Sequence, residues 1–306
     1  VRDRLIRIAR ALLAIVILAF VVRAVARNWD ALRAQPIRWA FHPLPALGAV
    51  VLVWSMYALL VEAWRRMLAG WGEHLAYPTA ARIWVLSSLG KYVPGKVWAI
   101  AGMALMARDA GVSGWAATAS AVILQVMAVG TGAIVAMGFG GAAMEATHPG
   151  VPRYFVAGAA VAAVALAGLC FPAPLRRLLG LVGVRAEAAT PGVAPVLLGV
   201  LANLTAWLGY GISLWLLARA TVPDGNLGMP LAVASFAASY VAGLVALIFP
   251  GGLVVREGVL VAMLQGPLGL GPATALAIGS RVLLTITELG AAVPFLFLRP
   301  GKPRAV

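Results

Sequence analysis

Charge is what this chain has least of. Charged residues make up 11% of its 306 positions, and only 10 of them are Asp or Glu. A water-soluble surface needs about a quarter of all residues charged, so a soluble globular protein is excluded. Cys170 is the single cysteine. One thiol in an apolar run builds neither a disulfide framework nor a thiolate metal centre, and it reads as a small buried hydrophobe. The three histidines, His42, His74 and His148, fall in loops without metal-ligand spacing. H-E-x-x-H, Walker and G-x-S-x-G patterns are missing too. No metal, no cofactor and no catalytic residue is therefore expected, and the chain reads as a non-enzyme.

Hydrophobic residues, in contrast, fill 62% of the chain, and the mean hydropathy is +0.96. Charge-free stretches run from Ala110 to Met144, Tyr154 to Leu175, Ala188 to Ala218, Gly225 to Val255 and Gly258 to Ser280. Each reaches across a ~30 Å hydrocarbon core as a helix of ~20 residues. They are continuously apolar where barrel strands would alternate, so the expected fold is an all-α polytopic membrane protein. The net charge of +14 comes from Lys and Arg scattered over loops and helix ends. That is the signature of positive-inside loops, not of a basic stripe for nucleic acid, and no nucleic-acid partner is expected. The ten tryptophans, among them Trp29, Trp39, Trp71 and Trp115 near span ends, suit interfacial belts.

Full spans are expected at about Ile8 to Val25, Leu44 to Trp64, Trp115 to Gly138, Arg153 to Phe171, Ala194 to Ala218 and Pro272 to Leu298. Ala24-Val25-Ala26 resembles a signal-peptidase site. Arg10 and Arg23 nevertheless snorkel readily and lengthen the segment, so an uncleaved first span is the expectation.

Between the spans one module occurs twice, in register. Pro94-Gly95 precedes Pro250-Gly251 by 156 residues, and Ala117-Thr118-Ala119 precedes Ala273-Thr274-Ala275 by the same 156. Paired Gly/Pro-broken apolar segments in matching places point to the binding site of a transporter built from repeats. Thr79 to Val93 and Lys96 to Arg108 are each too short to cross, and read as the arms of a re-entrant hairpin. Ser235 to Phe249 and Gly252 to Gln265 are the arms of the second, although the run before Pro250 is also long enough to span. The whole chain then forms one transmembrane domain, 1–306, of six spans and two hairpins, with repeat one at about 8–138 and repeat two at about 153–298. Each repeat is span, span, hairpin, span. Three crossings per repeat invert the second copy. With both termini in the cytoplasm, fourteen loop Lys and Arg lie inside against six outside, the bias expected of a bacterial inner-membrane protein.

Ionisable residues at membrane depth are functional candidates, because lipid exposure is costly. They are Lys91, Lys96, Arg256, Glu257, Arg281 and Glu288, with Glu62 near a span end. Half-helices opening after Pro94-Gly95 and after Pro250-Gly251-Gly252 present unpaired N–H groups to an anion, and Lys91, Lys96 and Arg256 add cationic side chains. Glu257 and Glu288 read as counter-ions or proton carriers. Arg281 and Glu288, two turns apart, share one face of the last span, and Gln125 holds the place of Arg281 in the first repeat. These three read as a coupling or structural ion-pair set.

Gly90-Lys91-Tyr92-Val93-Pro94-Gly95-Lys96 with Gly111-Val112-Ser113, and Pro250-Gly251-Gly252-Leu253-Val254-Val255-Arg256-Glu257-Gly258, resemble the two signature segments of the lysylphosphatidylglycerol synthase transmembrane family, which is flippase-like. The resemblance covers nearly the whole chain. It implies a lipid-translocating fold and points to Pro94, Gly95, Lys96, Gly251, Gly252, Arg256 and Glu257 as site residues. Val254 departs from it, standing where the family usually has a third glycine. With no soluble synthase domain after Leu298, it implies a stand-alone member that flips a lipid without charging it. DedA-type proteins also pair re-entrant hairpins, but the segment around Arg256-Glu257 fits them less well.

The function expected is therefore translocation of an anionic phospholipid or lipid-linked head group by alternating access. The partners are membrane lipids, with a lipid-modifying enzyme, a glycosyltransferase or a second copy of the chain as further candidates. The competing readings are a non-transporting subunit supporting such an enzyme, and an intramembrane lipid transferase or phosphatase.

Overall fold

The computed structural model describes residues 41–92, 97–144, 152–181, 191–222, 225–245 and 255–297. Within them lie ten α-helices and no strand. The helices are α1 (Pro43–Ala69), α2 (Tyr77–Ser88), α3 (Val97–Asp109), α4 (Gly114–Met144), α5 (Pro152–Gly168), α6 (Pro172–Leu181), α7 (Val193–Thr221), α8 (Met229–Val245), α9 (Val255–Leu268) and α10 (Leu270–Phe297). A 3-10 turn, Leu89–Tyr92, continues α2. Four helices, α1, α4, α7 and α10, are long and apolar enough to cross a membrane, and a bent pair, α5 with α6, makes a fifth candidate. This is the architecture of a multi-pass membrane protein. Large apolar side chains point outward along them, Leu201 at 60% and Ile286 at 62% exposure among them, as lipid-facing surfaces require.

The expected first span lies outside the described residues. Four of the others form, α1, α4 and α7 longer than expected at both ends and α10 at its start. The span expected at Arg153 to Phe171 forms as α5, which stops three residues short at Gly168, and the chain then turns by 94° into α6, which was not expected. Pro172 is the cause, since it lacks an N–H and disfavours helical backbone at the residue before it. α6 is amphipathic, with Leu175 and Leu179 buried and Arg176 and Arg177 exposed. The second hairpin's first arm also begins earlier than expected, at Met229.

Helix order repeats. Each described half runs long helix, shorter helix, shorter helix, long helix. A glycine in left-handed backbone joins the last two, Gly111 (φ 87°) and Gly269 (φ 82°), a turn that other residues make only with strain. α4 and α10 begin 156 residues apart, at Gly114 and Leu270, matching the register of the sequence repeat.

The equivalent helices α1 and α7 pack along each other and run antiparallel. The His42 N–H donates to the Ala220 carbonyl at 3.0 Å where α1 begins and α7 ends. At the other end Gly70 lies against Pro191, whose carbonyl oxygen is 2.3 Å from where a Cβ at 70 would stand. Trp71 and Trp115 meet edge to face at this end, 5.7 Å between centroids. Beside them the Glu73 carboxylate accepts the Ser113 N–H at 3.1 Å. Because residues 71–73 precede α2 and 113–115 follow α3, the segment between them enters and leaves at one end. At the opposite end Gly225 lies against Leu268, 2.7 Å from a Cβ at 225 to Leu268 Cδ2, and the Trp215 indole donates to the Leu227 carbonyl at 3.1 Å. The α8–α9 segment therefore enters and leaves there. Each of these two ends has its own apolar core, one including Trp64, Met67, Leu68 and Leu175, the other Leu214, Leu260, Leu264 and Leu276.

Packing between the halves is reciprocal. α1 and α2 lie on α10, while α7 and α8 lie on α4. This crossing over brings the first hairpin against the last helix, where the ionisable residues gather.

Candidate functional site

α10 is the spine of the site. It is 28 residues long, about 42 Å, which places Arg281 and Glu288 each within about 7 Å of its midpoint. Glu288 is buried, 7% exposed, and its carboxylate is held from two other elements. Lys91 of the 3-10 turn forms an ion pair with Oε1. The Tyr92 hydroxyl donates to Oε2 at 2.6 Å, and the Tyr57 hydroxyl of α1 donates to Oε1 at 3.1 Å. One turn of backbone is fixed as well, by the Trp54 indole donating to the Thr287 carbonyl at 3.0 Å. An ionised carboxylate in a low-dielectric interior needs such partners, since each missing one leaves an expensive buried charge.

Arg281 Nη1 and Glu257 Oε1 pair at 2.8 Å, tying α9 to α10. Next to Glu257, Arg256 lies 5% exposed. Its Nη2 donates to the Ser280 hydroxyl at 2.8 Å. The guanidinium also sits over two rings of α8, 5.5 Å from the Phe236 centroid and 5.3 Å from that of Tyr240, contacts that stabilise a desolvated cation. Its Nε is buried without a hydrogen-bond partner. Phe236 and Tyr240 stack on each other at 5.8 Å, and Tyr210 of α7 stacks on Phe236 at 5.7 Å. A wall of aromatic rings thus backs the cation, leaving an apolar and polarisable setting in which an added anion interacts strongly with Arg256.

The expected set is brought together in part. Lys91 meets Glu288, and Arg256, Glu257 and Arg281 form a second cluster one helical stretch away on α10. The pairing expected between Arg281 and Glu288 is corrected. They share a face of α10, but each takes a partner from a different element, because hairpin residues reach closer than a side chain two turns along the same helix. Gln125 is corrected too: it is exposed on α4 and joins neither cluster. Pro94, Gly95, Lys96, Pro250, Gly251 and Gly252 lie outside the described residues. Glu62, near the end of α1, is held by Arg65 at 2.7 Å and Arg66 at 2.6 Å, a local surface set remote in role from the central clusters.

Sequence reasoning missed Tyr57, Tyr92, Ser280 and the ring wall. Tyr57 carried a signal, a phenol in the middle of an apolar span, where the hydroxyl has to find an acceptor. Ser280 carried none, since small hydroxyls are common in packed membrane helices. Among the described residues, no cluster of His, Cys, Asp and Glu is suited to a metal ion. Neither a family model nor a curated protein matches the chain.

Proposed function

We propose that this is a flippase-like protein of the bacterial inner membrane that carries an anionic phospholipid or lipid-linked head group between leaflets. The observation that carries the reading is the placement of the hairpins. They open at opposite ends of the bundle, and each brings a cation, Lys91 or Arg256, to the middle of α10. A head group with a phosphate has to cross the apolar centre with its charge compensated, and cations held by protein, one buried and one half-buried, supply that compensation where lipid cannot.

The antiparallel run of α1 and α7, the reciprocal packing and the repeated helix order support a pair of inverted repeats exchanging access between the two ends. Arg65, Arg66, Arg82 and Arg108 lie towards the mouth of the first hairpin, against Arg153 and Arg219 towards the other. By the positive-inside rule the first mouth faces the cytoplasm, with both termini on that side. The resemblance to the lysylphosphatidylglycerol synthase transmembrane family points to the same activity.

The test is transbilayer movement of fluorescent phosphatidylglycerol, and separately of a polyprenyl phosphate, in liposomes holding the purified protein, its Lys91→Ala variant or its Arg256→Ala variant. Movement by the wild type that falls at least tenfold in both folded variants supports the proposal. A folded wild type that moves neither lipid overturns it and favours a subunit that serves a partner enzyme.

A further inference from the structure

We propose that Glu288 is a proton-binding site, and that a proton and Lys91 exclude each other there. Lys91 neutralises the carboxylate while the first hairpin rests on α10, and a proton replaces it when the hairpin withdraws.

The argument starts from which groups belong to which element. Lys91 and Tyr92 sit on the 3-10 turn of the hairpin, Glu288 on α10 and Tyr57 on α1. Moving the hairpin away removes Lys91 and Tyr92 together and leaves Glu288 with the Tyr57 phenol alone. The other charged groups around it do not fill the gap. On α10, Arg281 pairs with Glu257, and on α9, Arg256 is bonded to Ser280 over the rings of α8. Tyr210 of α7 stands against Tyr57 and Tyr240 of α8 under Arg256, and a phenol carries no positive charge in either of its forms. An ionised carboxylate left so buried is the costly state, and taking up a proton removes the cost. A hard metal ion would need several more oxygen ligands than one carboxylate and a phenol.

The withdrawn state therefore holds one more proton than the docked state. The released ammonium of Lys91 is then free to meet an anionic head group. This last link rests on the proposed function: anion and proton enter together, and the charge crossing the membrane cancels.

Docking can be followed without any transported lipid. In a Cys170→Ala background, spin labels at Ala101→Cys on α3 and Ile286→Cys on α10, both at exposed positions, report the hairpin-to-α10 distance by pulsed electron resonance in proteoliposomes. Between about pH 8 and about pH 5, the ratio of the longer to the shorter distance should rise by up to about tenfold per pH unit, as a one-proton difference demands. In Glu288→Gln the ratio should not change with pH. Should that variant fail to fold, Lys91→Gln serves, since it removes the one charged group that holds the carboxylate ionised in the docked state, and the ratio should change with pH far less than in the wild type. A pH-independent distance in the wild type overturns the proposal. So does a Glu288→Gln titration equal to the wild type, or a shift that follows sodium and not pH. A titrating hairpin in a protein that moves no lipid would remove the transport reading alone, and a moving lipid with a pH-silent hairpin would remove only this one.

Discussion

Tyr57 and Trp207 hold the same place in equivalent helices, each fourteen residues after the first of its helix, and each reaches across to the last long helix of the other half. Tyr57 donates to Glu288 of α10, whereas the Trp207 indole donates to Thr131 Oγ1 and the Ala128 carbonyl of α4, both at 3.1 Å. Thr131 and Glu288 are 157 residues apart, one step from the repeat register. The two seams thus share geometry and differ in chemistry. Beside Trp207, Gly132 is packed so closely that a Cβ would stand 2.5 Å from Val241 and 2.9 Å from the Trp207 ring. The second seam is shut by apolar contact, and the first is held by an ion pair and two phenols, which water or a proton can replace.

Different outcomes follow for the two aromatic donors. Trp207→Phe removes a buried donor and leaves the Thr131 and Ala128 acceptors with less, so it should destabilise the fold by about 1 to 2 kcal/mol. Tyr57→Phe keeps the ring and should cost about 0.5 to 1 kcal/mol, while changing the pH at which the first hairpin undocks. Thermal melting in detergent measures the first pair of effects. Equal melting shifts would show that the seams are alike.

Gly90 tests the closure of the first hairpin. A Cβ there would lie 2.7 Å from the Ala99 nitrogen and 2.9 Å from the carbonyl carbon of Trp98, both backbone atoms that cannot swing aside. Gly90→Ala should push the arms apart at a cost of about 1 to 3 kcal/mol. At Gly102 the nearest atom is Ser87 Cβ at 3.7 Å, an ordinary contact, so Gly102→Ala should be neutral or slightly stabilising through its helix propensity. Melting of the two variants side by side decides it. A tolerated Gly90→Ala would mean that the arms are not in contact at this point.

Much of the helical framework was legible because hydrophobic run length and Gly/Pro punctuation are local. α4 begins one residue from the expected Trp115, and the 156-residue register reappears in the starts of α4 and α10. The bend after Gly168 was missed because its Pro-Ala-Pro follows an unbroken apolar run, and run length alone does not tell a span from a helix that turns aside. The site was legible as a set of ionisable residues and illegible as pairs. Burial cost says that Lys91 and Glu288 need partners, but partner choice depends on how the hairpin docks, which is a tertiary fact. Arg281 with Glu288 was the plausible local pairing, and long-range packing displaced it.

Lys91 and Glu288 should be strongly coupled. Removing Lys91 alone strands a buried carboxylate. Because the Lys91 side chain is 31% exposed, the expected cost of Lys91→Met is about 1 to 3 kcal/mol, below the ~3 to 5 kcal/mol of a fully buried pair. Glu288→Leu alone should cost a similar amount by leaving the ammonium unpaired. The double variant should cost less than the sum of the two, with a coupling of about 1 kcal/mol or more in a double-mutant cycle. Additive effects would show that the contact carries no energy.

Arg256 separates stability from function most cleanly. Its Nε has no partner and its charge is desolvated, so the fold gains little from it beyond the ring contacts and the bond to Ser280. Arg256→Met keeps most of the volume against Phe236 and Tyr240 and removes the unpaired donor. It should change stability by less than about 1 kcal/mol in either direction, as replacement of buried ionic groups by apolar ones commonly does. Arg256→Lys retains the charge but loses the planar fork and its stacking. If the residue serves lipid movement by charge alone, the lysine variant should keep a substantial part of the wild-type rate and the methionine variant should lose it. If the flat guanidinium is what grips a phosphate with two parallel donors, both variants should fall together by tenfold or more. Melting and lipid-movement rates on the same preparations discriminate the cases. A methionine variant that melts several degrees lower and moves lipid at the wild-type rate would make Arg256 a structural residue, and would leave Lys91 as the hairpin cation held at the middle of α10.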